Sequence, residues 1–295
     1  MRLPAVERVV VVGDVHGDLE RLAGLLRDMH IMNDAFQWTA QPQNTIVVQT
    51  GDQVDSLVRD VPRAADGGAP TWERTADVQV LFFMEQLDRE ARRHGGRVIS
   101  LLGNHEVMNV FDNMTFVSPH SMALLGGPQL RAQAFQRGGR LCRDYLAHRP
   151  AVLQIGRHVF CHAGLLPSHL ARLASLERIN ALMRRTLLGE PWRDADEAAA
   201  FYETFLAPEG LLWTRQLLDA AAAAALVPQA LAAVGHGASV LVVGHSVMPE
   251  GITRALDGAL WFVDTGMSRA FGDGRVQALV ITADGDAPYQ VLQAR

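Results

Sequence analysis

The chain reads as an α/β protein, and three observations carry that reading. Short, β-branched runs recur: Val9-Val10-Val11-Val12, Thr45 to Thr50, Arg97 to Leu102, His158 to His162 and Ser239 to Val243. Stretches of helical periodicity lie between them, the first with Leu19, Leu22, Leu25, Leu26 and Met29 on one face. The runs are nearly continuous in apolar residues, as expected of strands covered on both faces. With 295 residues and 48% hydrophobic content the chain can bury a large core, and one domain over 1–295 is expected.

Composition excludes several chemistries. The net charge of −5 and the lack of a basic run argue against a nucleic-acid or membrane-surface partner. All 27 basic residues are Arg, so there is neither a Schiff-base lysine nor a Walker lysine. Two cysteines, Cys142 and Cys161, form no disulfide framework and fit a reducing compartment. Pro167 stands where a cysteine phosphatase built on Cys161 would need an arginine. With no targeting segment or membrane-length apolar run evident, a soluble cytoplasmic protein is expected.

Taken in order, each strand ends in a metal-capable group. The first runs into Gly13-Asp14-Val15-His16-Gly17. Two residues apart on an extended chain, Asp14 and His16 point the same way and can reach one ion. Alone, that pair equally fits a capping aspartate and a loop histidine. A helix is expected to open at Gly17-Asp18. The second strand meets Gly51-Asp52-Gln53-Val54-Asp55, with Asp55 one helical turn beyond Asp52. A loop insertion follows over about 56–72, rich in Arg, Asp, Gly and Pro, and then a helix over Glu73 to His94.

The third strand meets Gly103-Asn104-His105-Glu106, where an amide and an imidazole side by side can serve as an oxygen ligand and a proton donor. After a loop from Phe111 to His120, a helix is expected over Pro128 to Ala147. Ala151 to Ile155 and His158 to His162 read as strands joined by a turn at Gly156-Arg157, the second ending in His162-Ala163-Gly164. A mainly helical stretch over about 168–234 reads as an insertion in the α/β core. Ser239 to Val243 then closes on Gly244-His245, and Ile252 to Leu292, with its Asp-Gly turns, reads as a β-meander.

Two aspartates, one asparagine and three histidines at five strand ends suit two divalent ions bridged by one carboxylate. In order and spacing, the segments around Asp14, Asp52, Asn104, His162 and His245 resemble the calcineurin-like metallophosphoesterase superfamily. The Gly-Asn-His-Glu form points to its phosphoprotein phosphatase branch. Leu101 to Asn109, His162 to Pro167, Ile179-Asn180 and Val263 to Ser268 resemble the Shewanella-like protein phosphatases.

The resemblance implies two facing mixed β-sheets flanked by helices in four layers. It also implies two divalent ions, manganese first and iron or zinc as alternatives. One ion would be held by Asp14, His16 and Asp52, the other by Asp52, Asn104, His162 and His245. A hydroxide between them would attack phosphorus in line, with His105 as general acid oriented by Asp55. The expected substrate is a phosphorylated protein or peptide bearing phosphotyrosine or phosphoserine/threonine. A dinucleoside-tetraphosphate or other small phosphoester hydrolase, and a catalytically silent phosphate-binding scaffold, stand as alternatives.

One departure matters. Phosphoprotein phosphatases usually continue Asp-Arg-Gly, whereas this chain reads Asp55-Ser56-Leu57, so a phosphate-gripping arginine is missing. Arg59, Arg63 or Arg74 can replace it from the neighbouring insertion. Arg215, in Leu212-Trp213-Thr214-Arg215, matches a second phosphate-contacting position and is the stronger candidate, with Asn104 beside it.

Overall fold

The computed structural model describes residues 1–58, 72–282 and 288–294. Among the described residues eleven strands are present: β1 (Arg2–Leu3), β2 (Arg8–Val12), β3 (Ile46–Gln49), β4 (Arg97–Ser100), β5 (Val152–Ile155), β6 (His158–Cys161), β7 (Val240–Val243), β8 (Thr253–Ala255), β9 (Leu260–Phe262), β10 (Gln277–Thr282) and β11 (Tyr289–Gln293). They form a five-stranded sheet, β11-β10-β2-β3-β4, and a six-stranded sheet, β1-β5-β6-β7-β9-β8. Both are mixed. The strands β2, β3 and β4 run parallel, with Val12, Gln49 and Ser100 in register. In the other sheet β6, β7 and β9 run parallel, with Cys161, Val243 and Phe262 in register.

Side-chain alternation explains why the strands are apolar throughout. Val9, Val11, Ile46, Val48 and Ile99 of the first sheet meet Leu153, Phe160, Val240, Val242 and Trp261 of the second in one buried layer. The alternate residues Val10, Val12, Val47 and Val98 face Leu22, Leu25 and Leu26 of the helix Leu19–Asp28 and Val80, Met84 and Leu87 of the helix Gln79–Arg93. On the far side, Val159, Cys161, Leu241 and Val243 pack against Leu176, Ile179 and Met183 of the helix Leu176–Leu187. Helix, sheet, sheet, helix: the four expected layers follow from period-two patterning.

Several boundaries differ from expectation. The helix expected over Glu73 to His94 begins only at Gln79, because Glu73 and Asp77 turn inward as hydrogen-bond acceptors. The helix expected over Pro128 to Ala147 is broken into Pro128–Phe135 and Arg140–Asp144, where Gly138 takes φ +73° and its N–H donates to the Leu187 carbonyl. The expected meander is two hairpins in different sheets: β8 pairs with β9, and β10 with β11. Leu279 and Ile281 of β10 are needed opposite β2, to which β10 pairs antiparallel, so the chain crosses between sheets. Most of the 56–72 loop and the Asp284-Gly285-Asp286 turn lie outside the described residues.

Helices Pro167–Leu173, Leu176–Leu187, Ala195–Phe201 and Ala220–Val234 form the connection that returns the chain from β6 to parallel β7. Among the described residues, no helix is long and apolar enough to cross a membrane. Phe160 is fully buried between the sheets. Phe160→Ala is expected to cost about 3–5 kcal/mol of stability, from lost transfer energy plus the cavity, read by urea unfolding.

Candidate dinuclear metal centre

The C-terminal ends of β2, β3, β4, β6 and β7 deliver their loops to one place. Val15 and His16 donate their N–H groups to the Asp52 carbonyl (3.0 Å each), and Gly244 donates to that of His162 (2.7 Å). His162 Nδ1 bonds the Thr50 carbonyl at 2.9 Å, joining the two sheets at the site. The glycines that precede the polar residues have a steric reason. A Cβ on Gly103 would lie 2.1 Å from Asp52 Oδ1, and one on Gly244 would lie 2.4 Å from Asp14 Oδ1.

Asp52 is the centre. Its Oδ1 accepts the His105 N–H at 2.9 Å. Its Oδ2 stands 3.3 Å from His162 Nε2, 3.7 Å from His16 Nε2 and 3.8 Å from His105 Nε2. Burial works to raise its pKa, but the imidazoles of His162, His105 and His16 outweigh burial and hold the carboxylate well below its ordinary value. His162 is driven the other way: burial lowers it, Asp52 more than offsets that, and the net shift is upward.

The remaining predicted ligands close around this carboxylate. Asn104 Oδ1 accepts from His162 Nε2 at 2.8 Å. Asp52, His162 and His245 bring ligand atoms within 4.8 Å of one another, as do Asp52, His16 and His105. His105 thus lies within reach of a metal held by His16 and Asp52, besides being a candidate proton donor. Asp14 stands slightly apart, its carboxylate accepting the His245 N–H at 3.1 and 3.3 Å and the Thr50 hydroxyl at 3.3 Å.

The donor set fits divalent cations. His16 Nδ1 faces the carbonyls of Val54 and Asp55 (3.2 Å each), as His162 Nδ1 faces Thr50, so each ring turns Nε2 toward Asp52. Pinning one ring nitrogen to a carbonyl is how proteins orient metal-binding imidazoles. Two carboxylates near Asp52, those of Asp14 and Asp264, lean toward neutrality. Burial first, then Asp264 and Asp52, raises Asp14 well above its ordinary value. Burial and Asp52 push Asp264 up to about 6, although the Gly266 N–H works against them.

His16, Asp52, Asp55 and His245 take φ of 42°, 54°, 70° and 65°. Left-handed backbone in non-glycine residues costs of order 1 kcal/mol or more each and gathers where side chains must be aimed. Asp55 is therefore not one helical turn beyond Asp52 but beyond a tight loop. Its Oδ2 bonds His105 Nδ1 at 2.8 Å and leaves His105 Nε2 facing the site. Asn104 and His105 open a helix, Asn104–Val110, directly after the strand end.

Ser56, where an arginine was missed, is buried and donates its hydroxyl to Glu73, which also accepts from Ser118 and Ser121 at 2.6 Å each. Arg59 and Arg63 lie outside the described residues, and Arg74 is exposed. Arg215 reaches the site's edge, its Nη1 donating to Ser246 Oγ, beside His245, at 3.0 Å. A hollow of about 410 Å³ opens there, lined by Leu206, Pro208, Trp213 and Arg215. Burial pushes the Cys142 thiol up to about 12 and Cys161 higher still, which suits inert packing residues.

Sequence reasoning missed five residues. Glu106 is fully buried, and its carboxylate accepts the N–H groups of Asp52 (2.9 Å), Gln53 (2.7 Å), Val54 (3.3 Å) and Gly103 (2.8 Å). Asp264 lies against Asp14. Asn109, Asp77 and Arg131 stand behind Asp55. Asn109 was signalled by its place one turn after His105, and Asp264 by yet another strand end; Asp77 and Arg131 carried no local signal.

Comparisons with known proteins show the family. A family model of calcineurin-like phosphoesterases matches residues 7–249, and the chain belongs to that family. It is 26% identical over 328 residues to Shewanella-like protein phosphatase 2 of Arabidopsis thaliana, covering 96% of this chain and 77% of that protein. It is 24% identical over 282 residues to Shewanella-like protein phosphatase 1 of Plasmodium berghei, covering 88% and 67%. In fold it is similar to the cold-active protein-tyrosine phosphatase of a psychrophile Shewanella species, with TM-score 0.75, 21% identity and coverage of 100% and 82%. It is also similar to a protein serine/threonine phosphatase of Saccharomyces cerevisiae, with TM-score 0.60, 14% identity and coverage of 100% and 83%.

Two outcomes follow. Protons on the raised carboxyls compete with cations, so manganese affinity is expected to fall as pH drops through the Asp264 value of about 6, with proton release on binding seen by calorimetry in two buffers. In Glu106→Gln an amide group must face a backbone N–H, so stability should drop by about 1–3 kcal/mol in urea and metal affinity should weaken with it.

Proposed function

We infer that this phosphoesterase is a dinuclear metal-dependent phosphomonoesterase acting on phosphorylated protein or peptide. The observation that carries this reading is Asp52, a buried carboxylate in reach of three imidazoles whose orientation is set by carbonyls and by Asp55. Asp14, His16 and Asp52 would hold one divalent ion, and Asp52, Asn104, His162 and His245 the other, manganese being the first candidate. Bound there, two cations lower the pKa of water and clamp phosphoryl oxygens.

The chain's own residues supply the rest. Asp55 holds His105 with Nδ1 inward and Nε2 toward the reacting phosphate, where it gives a proton to the departing alkoxide or phenolate. Asn104 and the guanidinium of Arg215 would grip the phosphate; Ser246 occupies one Arg215 nitrogen and leaves the other N–H groups for oxygen. The reading takes residues 1–295 as one phosphatase domain, with the helices over 168–234 belonging to it. The names of the relatives support protein substrates, and a tyrosine-phosphatase neighbour keeps phosphotyrosine beside phosphoserine/threonine.

Phosphate release from matched phosphotyrosine and phosphoserine peptides, with manganese and with a chelator, tests the reading. Chelator-sensitive release from either is expected. Release only from dinucleoside tetraphosphates, or none from any ester while metal binds tightly, would replace it with one of the alternatives. His105→Asn is expected to lower turnover of a phosphopeptide by about 10²–10⁴-fold while metal content measured by mass spectrometry is retained, since a proton donor and not a ligand is lost.

A further inference from the structure

Behind the Asp55–His105 pair lies a fully buried guanidinium that the chemistry above does not use. Arg131, on the helix Pro128–Phe135, makes two parallel bonds to Asp77: Nη1 to Oδ1 at 2.9 Å and Nη2 to Oδ2 at 2.8 Å. Its Nη2 also reaches Asp55 Oδ1 at 3.3 Å, and its Nε donates to Asn109 Oδ1 at 2.7 Å. That last bond decides which way the Asn109 amide faces. With its oxygen occupied by Arg131, its NH₂ group points at Asp55 Oδ1, 2.8 Å away, and at the His105 carbonyl, 2.9 Å away. The Asp55 N–H in turn donates to Asp77 Oδ2 at 2.8 Å.

Both carboxylate oxygens and the N–H of Asp55 are therefore fixed by this network or by His105, and the network is anchored by one arginine. A buried arginine is costly unless its charge and all its N–H groups are met, and here Asp77 alone would provide the counter-charge. The additional arms meet further N–H groups of the guanidinium, and they do so on Asn109 and Asp55, the two side chains that hold His105. We propose that Arg131, with Asp77, is a positioning residue for proton donation: it fixes the Asp55 carboxylate and so sets the direction in which His105 presents its proton. Loss of that alignment would slow the step that depends on it without touching the ligand set, because positioned proton transfer is sensitive to small misplacements. The proposal rests on His105 being the general acid.

Arg131→Lys keeps the charge but loses the fork and the bond to Asn109. The full-length manganese-loaded enzyme is assayed on phenyl phosphate, whose leaving group needs a proton, and p-nitrophenyl phosphate, whose leaving group does not. The variant is expected to lose about 10-fold more kcat on phenyl phosphate than on the nitrophenyl ester, at unchanged KM and metal content. Equal loss on both esters, or loss of metal, would mark Arg131 as structural only and overturn the proposal. His105→Asn is run alongside. If it shows the split and Arg131→Lys does not, the proposal fails and the general acid stands; if it shows none, the general-acid reading fails and takes the proposal with it. Should the lysine variant not fold, Asn109→Leu, which cuts the same link, is held to the same criteria.

Discussion

The carboxylate of Glu106 fastens two strand ends that sequence keeps half a hundred residues apart. It is fully buried and accepts four backbone N–H groups, three from the loop after β3 and one from the turn after β4. A buried carboxylate is tolerated only where hydrogen bonds replace water, and those donors are available only if the two loops take this one arrangement. The loop so held carries Asp52 in a left-handed conformation, with one oxygen on the His105 N–H and the other facing three imidazoles. The bare glycines at 103 and 244 follow from the same closeness, since a Cβ there would strike Asp52 and Asp14.

The site is poorly arranged for stability and well arranged for cations. Four non-glycine residues hold strained backbone, and carboxylates are crowded until Asp14 and Asp264 lean toward keeping protons. The rigid background that tolerates this lies on both sides: a dry layer of aliphatic and aromatic side chains between the sheets, and helices outside each. Groups crowded in this way bind a counter-charge more strongly than isolated ones, because the repulsion is relieved on binding.

The Asp-Ser-Leu departure also acquires a physical sense. In place of an outward arginine, Ser56 turns inward and joins Ser118 and Ser121 on the Glu73 carboxylate, tying the loop after Asp55 to the start of the helix Pro119–Leu124. Arg215 stands across the site near His245, next to a hollow walled by Trp213 and Pro208. Arg131 is a fully buried guanidinium, but it stands behind the site, where it touches carboxylates and an amide.

Strand ends and the six clustered ligand-type residues were legible because each rests on local patterning: apolar runs of strand length, helical periodicity between them, and a polar group following each run; the four-layer arrangement was implied by the family resemblance and not by that patterning. β2, β3 and β4 run parallel in one sheet and β6 and β7 in the other, so within each sheet the residues at the strand ends meet at one edge. Where a helix stops, which sheet the last hairpin joins, how Asp55 turns and what stands behind it were settled elsewhere. They depend on partners far along the chain, such as Gly138 bonding Leu187, β10 pairing β2, and Arg131 meeting Asp77. Hydrogen bonds and buried charges of that kind are set by where distant segments come to rest, and neighbouring residues in the chain carry no trace of them.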